Sequence, residues 1–470
     1  MARLYSLNIL ISVGLLLVSI VALALVKLPE LTVATILSCL TLFVVCHSYV
    51  RNEIGGFLYR FFFVYSVITL VLPFLLVVIF EPAVAIQDFY KTLELTSSDL
   101  LLSNLVIFGY FLGLKLCLLM LKRIIAVKKQ FGHTENPKSK REFYFGRVLI
   151  ILLLSFAAKL YLIITGAWFI FNSEFESDAF TNTFRILEKL DLFVFFLLIY
   201  KKKQNQLSRA MSSVLYVVLP ISLGFALISG SKEKIIVQGV AVLLYLAASK
   251  YRKTLFATLG AGIIIAPLAF EFLYFARTNN ELNLSEISEV YANKEYSEKS
   301  VVIDNVVFRR LDYNRVVATV IREYPMFPNE IKANYLDNFI GLVPRLIWLS
   351  KPDMGLDYNK VGRDLGLLNE YDFSTSSAVS PLGEAYYAFG IFGLPFIVLC
   401  TGVMLFFIKG VFSESNIFGY AMLITIALWV TPLNSYMTFL PFLVKIVLVL
   451  LGAKIFIQKP PNINRGLAKL

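Results

Sequence analysis

The chain has 470 residues, of which 58% are hydrophobic and only 16% charged, and its mean hydropathy is +0.74. Soluble globular proteins carry about 25% charged and roughly 45 to 50% apolar residues, so a soluble enzyme, a secreted disulfide module and a disordered tail are excluded in favour of an integral membrane protein. The formal charge of +12, from 44 Lys and Arg against 32 Asp and Glu, does not argue for nucleic acid, because basic loops orient any multispan protein.

In lipid the backbone must satisfy its own hydrogen bonds, so apolar runs of about 20 residues mean helices. The pattern predicts an all-α polytopic fold of about twelve spans. In chain order, clear runs occupy 7–26, 31–50, 57–80, 100–121 and 148–171. A short run at 190–200 spans only if it extends back to Phe180. Short runs at 214–229 and 235–249 follow, then 255–275, 391–408, a weaker 417–433 containing Pro432, and 439–457. The first run is longer than the apolar core of a signal peptide and reads as retained. The cysteines Cys39, Cys46, Cys117 and Cys400 lie within these runs without metal-ligand spacing and read as packing residues.

Loop charge alternates with the spans. Residues 122–147 hold eight Lys and Arg against two acids, and Lys201, Lys202, Lys203 and Arg209 follow the sixth span. Lys250, Arg252 and Lys253 follow the eighth, and Lys459, Arg465 and Lys469 lie in the tail. The intervening loops are acidic or mixed: 81–99 has four acids and one Lys, and 172–189 carries Glu174, Glu176 and Asp178. By the positive-inside rule both termini are cytoplasmic. The expected organisation is an N-terminal bundle of about nine helices (1–276), a large extracytoplasmic loop (277–382), about three C-terminal helices (383–457) and a cytoplasmic tail (458–470).

The segment 277–382 is the one long hydrophilic stretch, with 12 Lys and Arg and 15 Asp and Glu. Within it, 334–349 is apolar but broken by Gly341 and Pro344, too short to span, and reads as interfacial. No Gly-rich phosphate loop, GxSxG, HExxH or CxxC motif is present. The two histidines, His47 and His133, fall on the cytoplasmic side of the expected topology. Of the ionisable groups inside the spans, Lys159, Glu271 and Lys445 stand out, and mutual pairing would satisfy them. Lys115 is close enough to its helix end to snorkel.

Two motifs flank the end of the long loop, GLVPRLIWLSKP (341–352) and SPLGEAYYAFGIFGLPFIVL (380–399), and SGSKEKII (229–236) joins the seventh and eighth spans. Together with many spans and one large loop, they resemble the Wzy-type O-antigen and oligosaccharide repeat unit polymerases. In these the first motif is a Pro-Arg-aromatic-Lys-Pro segment and the second a Gly-Glu-aromatic-Gly approach to the next helix. Lys232 stands where relatives often carry Arg, keeping charge but losing the planar fork. The resemblance implies the fold of multispan lipid-linked sugar transferases in the bacterial inner membrane. The implied activity is a metal-independent glycosyltransferase without cofactor. It moves a growing glycan from undecaprenyl pyrophosphate to an incoming lipid-linked repeat unit on the periplasmic face, among membrane lipids and with a chain-length regulator as a further partner. Lipopolysaccharide or a capsule-like polymer would be the product.

Breaking the bond from an anomeric carbon to pyrophosphate builds negative charge on the leaving oxygen, which cations must meet; Arg binds phosphate oxygens in pairs. Arg345, Arg277 and Lys232 are placed for this near headgroup depth, with Arg309, Arg310, Arg315 and Arg185 as further substrate-binding candidates. Glu384, at the approach to the tenth span, is the best placed base for the acceptor hydroxyl, and equally a helix cap. Tyr386 and Tyr387 suit sugar stacking or an interfacial aromatic belt. Arg277 and Lys232 also read as snorkelling anchors. The alternatives are a lipid-linked oligosaccharide flippase, which would place its charge in a midplane cavity rather than one external loop, and an O-antigen ligase, whose relatives use a periplasmic histidine that this chain lacks.

The charge alternation generates a topological test. Alkaline phosphatase fused after residue 300 should be active and the same reporter fused after Lys203 or Leu470 inactive. The reverse pattern would overturn the orientation.

Overall fold

The structure is a computed structural model describing residues 29–50, 57–80, 95–129, 143–166, 179–228, 232–248, 312–327, 379–411, 417–429 and 436–458, together with Thr254, Val343, Trp348, Asp364 and Leu365. The expected spans at 7–26 and 255–275 and nearly all of 334–349 lie outside these residues. The described residues are helical, with one isolated backbone bridge between Phe143 and Gln458 and no strand. In chain order the helices are α1 (Pro29–Val50), α2 (Phe57–Leu70), α3 (Leu72–Phe80), α4 (Ser97–Lys129), α5 (Phe145–Ile164), α6 (Ala179–Leu187), α7 (Leu190–Lys203), α8 (Arg209–Ile228) and α9 (Lys232–Ala248). They continue as α10 (Tyr313–Glu323), α11 (Ser380–Phe389), α12 (Gly393–Val411), α13 (Ile417–Trp429) and α14 (Tyr436–Ile457). Five stretches are long and apolar enough to cross a membrane: Pro29–His47, Ser97–Arg123, Phe145–Ile164, Arg209–Ile228 and Ser380–Ile408. The protein is an all-helical multi-pass membrane protein.

Two helices organise the bundle. On one side α1, α10 and α12 pack against α4. The α1 and α4 helices run parallel. Glu30 at the start of α1 accepts hydrogen bonds from Ser97 and Ser98 at the start of α4, while near the end of α1 His47 Nδ1 lies 3.3 Å from Lys115 Nζ, midway along the longer α4. Small residues let α12 lie equally close to α4; a Cβ added at Gly402 would come within 2.6 Å of Cys117 Sγ. On the other side α7 is surrounded by α5, α8, α9 and α13. Its run Leu192–Ile199 is apolar all round and wholly buried, as expected of a helix with no solvent or lipid face. Because α13 packs on both α2 and α7, it joins the two halves.

Outward faces are apolar. Ile150, Leu153, Leu154, Leu160 and Ile164 of α5, and Phe396, Leu399, Val403 and Phe407 of α12, are exposed, leaving stripes that a bilayer would cover. The basic end of the α7 half is tied together: Arg147 Nη1 donates to the Phe456 carbonyl at 2.9 Å, Lys201 lies over the Phe143 ring, and Lys202 Nζ donates to Tyr245 Oη at 2.7 Å.

The run 57–80 is interrupted at Val71, where Pro73 removes an N–H from the helical ladder. The short run at 190–200 does extend back to Phe180, but as two helices separated at Glu188 and Lys189. Beyond α11, Gly390 takes φ 60° and a short 3-10 turn reverses the chain, so that a Cβ on Gly393 would stand 2.1 Å from the Ala385 carbonyl oxygen. No other residue fits that elbow.

The interior of the α7 half holds a charge pair. Lys159 of α5 is bonded to the Asp191 carboxylate at the start of α7, with the two side chains 4% and 2% exposed. Ser222 of α8 donates to the same carboxylate at 2.6 Å. Ser155 receives the Asp191 backbone N–H at 3.2 Å and donates to the Glu188 carbonyl at 2.7 Å. Lys159 therefore pairs with Asp191; Glu271, the one carboxylate in the expected pairing of Lys159, Glu271 and Lys445, lies outside the described residues. The rings of Phe156 and Phe225 flank the ammonium at 5.6 and 5.7 Å from their centroids, a cation–π arrangement.

Removing one member of a buried pair strands the other charge, at a cost of about 3 to 5 kcal/mol. Asp191→Ala should therefore lower the thermal unfolding temperature in detergent sharply. Lys159→Met combined with Asp191→Leu should recover most of the loss. Equal loss in the single and double variants would show that the pair does not hold α5, α7 and α8 together.

Candidate functional site

Polar side chains in an apolar bundle need partners, and the buried charged ones among the described residues gather in two places. The first is built on α10, a helix from within the hydrophilic segment 277–382. Its residues from Tyr313 to Val320 are all buried, so this part of the segment is packed into the bundle against α4 and α11 rather than lying in solvent. Asp312 caps it by accepting the Arg315 N–H at 3.1 Å. A ladder of side chains fastens it: Asn314 Nδ2 donates to Asn104 Oδ1 at 2.9 Å, Ser103 Oγ donates to Asn314 Oδ1 at 2.5 Å, and Ser38 donates to Asn104. The Asn104 amide completes the set by donating to the Leu100 carbonyl at 2.7 Å.

Where α10 packs on α11, each helix brings a buried ionisable side chain, Arg315 (9% exposed) and Glu384 (5%). Val320 Cγ2 of α10 lies 3.6 Å from where a Cβ on Gly383 would stand, which places this turn of α11 in ordinary packing contact with α10. Tyr386 and Tyr387 are buried on α11. Tyr387 Oη donates to Asp364 Oδ2 at 3.1 Å, and the edge of the Tyr324 ring meets Tyr387 with centroids 4.5 Å apart. Burial, then the Asp364 carboxylate, pushes the Tyr324 hydroxyl pKa up, so it stays a proton donor at neutral pH. The Ile391 N–H donates to the Met326 carbonyl at 2.9 Å, tying the end of this segment to the elbow after α11.

The second place is a small cavity beside the Lys159–Asp191 pair, about 20 Å³ in volume, between α5, α7, α8 and α9, room for a single water. Lys159, Lys189, Lys234, Glu188, Asp191, Ser222 and Gln238 bring polar groups to its wall. Lys234 Nζ lies 3.5 Å from Glu188 Oε2, within electrostatic reach of Lys159 and Arg185. The three lysines outnumber the two carboxylates in the lining.

The candidates from sequence sort between the two places. Arg315 lies on α10, and Glu384, Tyr386 and Tyr387 lie on α11, the helix packed against it. Arg185, exposed in the last turn of α6, is within electrostatic reach of Lys234 in the cavity wall, and Lys232 is the first residue of α9, the helix that carries Lys234. Arg277, Arg309, Arg310 and Arg345 lie outside the described residues. Sequence reasoning passed over Glu188, Lys189, Asp191 and Lys234, although the run ILEKLDLFVFFLLIY carries three charges at the head of an otherwise apolar helix. It also passed over Asn104, Asn314 and Asp364, which carry no motif.

No curated protein and no solved structure matches this chain. The model of one protein family, described as O-antigen polysaccharide polymerase Wzy, matches residues 7–459, nearly the whole length. An apolar helical bundle with buried cations, a buried carboxylate and a segment folded back into it agrees with that match, and the chain belongs to the O-antigen polysaccharide polymerase Wzy family.

Proposed function

We propose that this protein, a twelve-span bundle with both termini in the cytoplasm, polymerises repeat units on the periplasmic face of the inner membrane. It does so by transferring a growing glycan from undecaprenyl pyrophosphate to the nonreducing end of an incoming lipid-linked repeat unit. The observation that carries the reading is the α10–α11 contact, where a helix of the long polar segment is buried beside the helix bearing Glu384. The family match gives no support to the flippase or ligase alternatives.

In the reaction the acceptor hydroxyl oxygen bonds to the anomeric carbon of the donor glycan, the bond from that carbon to the pyrophosphate oxygen breaks, and undecaprenyl pyrophosphate leaves. Glu384 takes the hydroxyl proton. Its burial on α11 keeps bulk water away from the group that accepts the proton. The leaving diphosphate is met by cations rather than a metal: Arg345, Arg277 and Lys232 as catalytic groups, with Arg309, Arg310, Arg315 and Arg185 holding substrate phosphates and sugars. Guanidinium is suited to this because it stays charged and pairs with two oxygens at once. Tyr387, bonded to Asp364, and Tyr386 beside it shape the approach to Glu384 in the conformation seen. A chain-length regulator would act on the same assembly from outside the bundle.

The test is deletion in the native host, complementation and gel display of surface polysaccharide. The null should leave single repeat units attached to the acceptor. Glu384→Gln, at a normal membrane level, should reduce chain formation by roughly a hundredfold or more, as expected for loss of a general base. Arg315→Lys, which keeps charge but loses the fork, should shorten the ladders. Full-length ladders from Glu384→Gln would overturn the role of Glu384, and ladders from the null would overturn the polymerase reading.

A further inference from the structure

We propose that the junction of α5, α7 and α14 holds the headgroup of an anionic phospholipid, with Arg147 and Lys201 as the cations that meet its phosphodiester. The site does not depend on the glycan reaction. Three stretches far apart along the chain come together there. The Tyr144 N–H donates to the Ile457 carbonyl at 3.1 Å, Phe143 and Gln458 form the backbone bridge, and Arg147 Nη1 donates to the Phe456 carbonyl at 2.9 Å. The Arg147 guanidinium lies over the rings of Tyr144 and Phe456, 4.5 and 5.4 Å from their centroids. Lys201, in the last turn of α7, stands 5.4 Å from the centroid of the Phe143 ring.

Two cations are thus fixed by rings and a carbonyl, and among the described residues neither forms an ion pair with a carboxylate. An aromatic face orients a cation without neutralising it, so both keep their charge for an anion from outside. The helix α5 is long and apolar enough to cross a membrane and Arg147 stands in its first turn, which puts the guanidinium at the edge of the bilayer. Residues three and seven apart share a helix face, so the exposed Ile150 and Leu154 continue from Arg147 as one stripe. Tyr144 and Phe456, whose rings hold the guanidinium, are exposed as well, as aromatic residues are at a membrane boundary. A phosphate at Arg147 would let its acyl chains descend along Ile150 and Leu154, a contact that no soluble anion can make. Of the five N–H donors of a guanidinium, one is used by the Phe456 carbonyl, and the others can take two phosphate oxygens at once. Basic groups gathered between membrane helices at the headgroup level bind anionic lipids in this way. The bound lipid would clamp α14 to α5.

The test is native mass spectrometry of the purified full-length protein, delipidated in detergent and titrated with phosphatidylglycerol or phosphatidylcholine, with the unfolding temperature followed in each mixture. The wild type should bind phosphatidylglycerol in preference to phosphatidylcholine and gain stability as its concentration rises. Arg147→Gln combined with Lys201→Gln should weaken phosphatidylglycerol binding about tenfold or more and abolish that gain, with the wild-type unfolding temperature kept in phosphatidylcholine. Arg147→Lys, which retains charge without the fork, should fall between the two. If the double variant is less stable in phosphatidylcholine, Lys201→Gln alone carries the test, since the Lys201 side chain makes a ring contact and no hydrogen bond among the described residues; it should weaken binding about threefold or more. Equal phosphatidylglycerol binding by the double variant and the wild type would overturn the site. So would an equal loss in Arg209→Gln, an exposed cation at the start of α8, because that result marks a diffuse basic surface. Full competition by glycerol 1-phosphate would overturn it too, because the ligand would then be the free anion.

Discussion

An ammonium group surrounded by apolar helices has no water to solvate it, and the arrangement of α5, α7 and α8 follows from that constraint. Lys159 needs a carboxylate, and Asp191 can supply one only if α7 begins level with the last turns of α5. The helical break at Glu188 and Lys189 is what lets α7 begin there. Ser155 uses the freed backbone on both sides of the break, accepting the Asp191 N–H and donating to the Glu188 carbonyl. Ser222 then fixes α8 to the same carboxylate. One buried charge thus sets the relative heights of three helices, and the cavity beside it is the space those heights leave open. The cost of burying a pair is high enough that an apolar replacement is often neutral or better for stability.

The α4 half solves a related problem without charge. A helix taken from a hydrophilic segment carries polar side chains wherever it is placed, and α10 enters the bundle with Asn314 and Thr319 buried. Asn314 is matched by Asn104 and Ser103, and Thr319 returns its proton to the Arg315 carbonyl at 3.0 Å. Every group in the Asn104–Asn314 ladder that the bonds describe has a partner within its own cluster, which removes the penalty of an unsatisfied amide in an apolar setting. The same insertion sets Arg315 against the helix bearing Glu384. Binding the outer segment into the bundle and assembling the α10–α11 contact are therefore one event.

Much of this was legible in the sequence because lipid imposes a simple rule. Apolar length alone located α1, α4, α5, α8, α12 and α14, and the fold class follows from composition. The motif at 380–399 directed attention to Glu384, Tyr386 and Tyr387, which the structure buries on the helix that packs against α10. The burial of α10 was not legible. Its sequence, YNRVVATVIRE, is too polar and too short to read as a membrane element, and its fate depends on Asn104, about 210 residues away along the chain. The partner of Lys159 was missed for a similar reason: Asp191 sits at the head of a short apolar run, where a carboxylate resembles an ordinary helix cap.

The two polar places meet the same cost by different means. On α10 and α11, Arg315 and Glu384 are each nearly covered where the two helices pack. Beside α7 the charges come as pairs of unequal closeness, Lys159 with Asp191 almost wholly covered and Lys234 with Glu188 at 3.5 Å. A charge inside the bundle is costly wherever it sits, so each place ties together helices that are far apart along the chain, α10 to α4 and α11 on one side and α5, α7, α8 and α9 on the other.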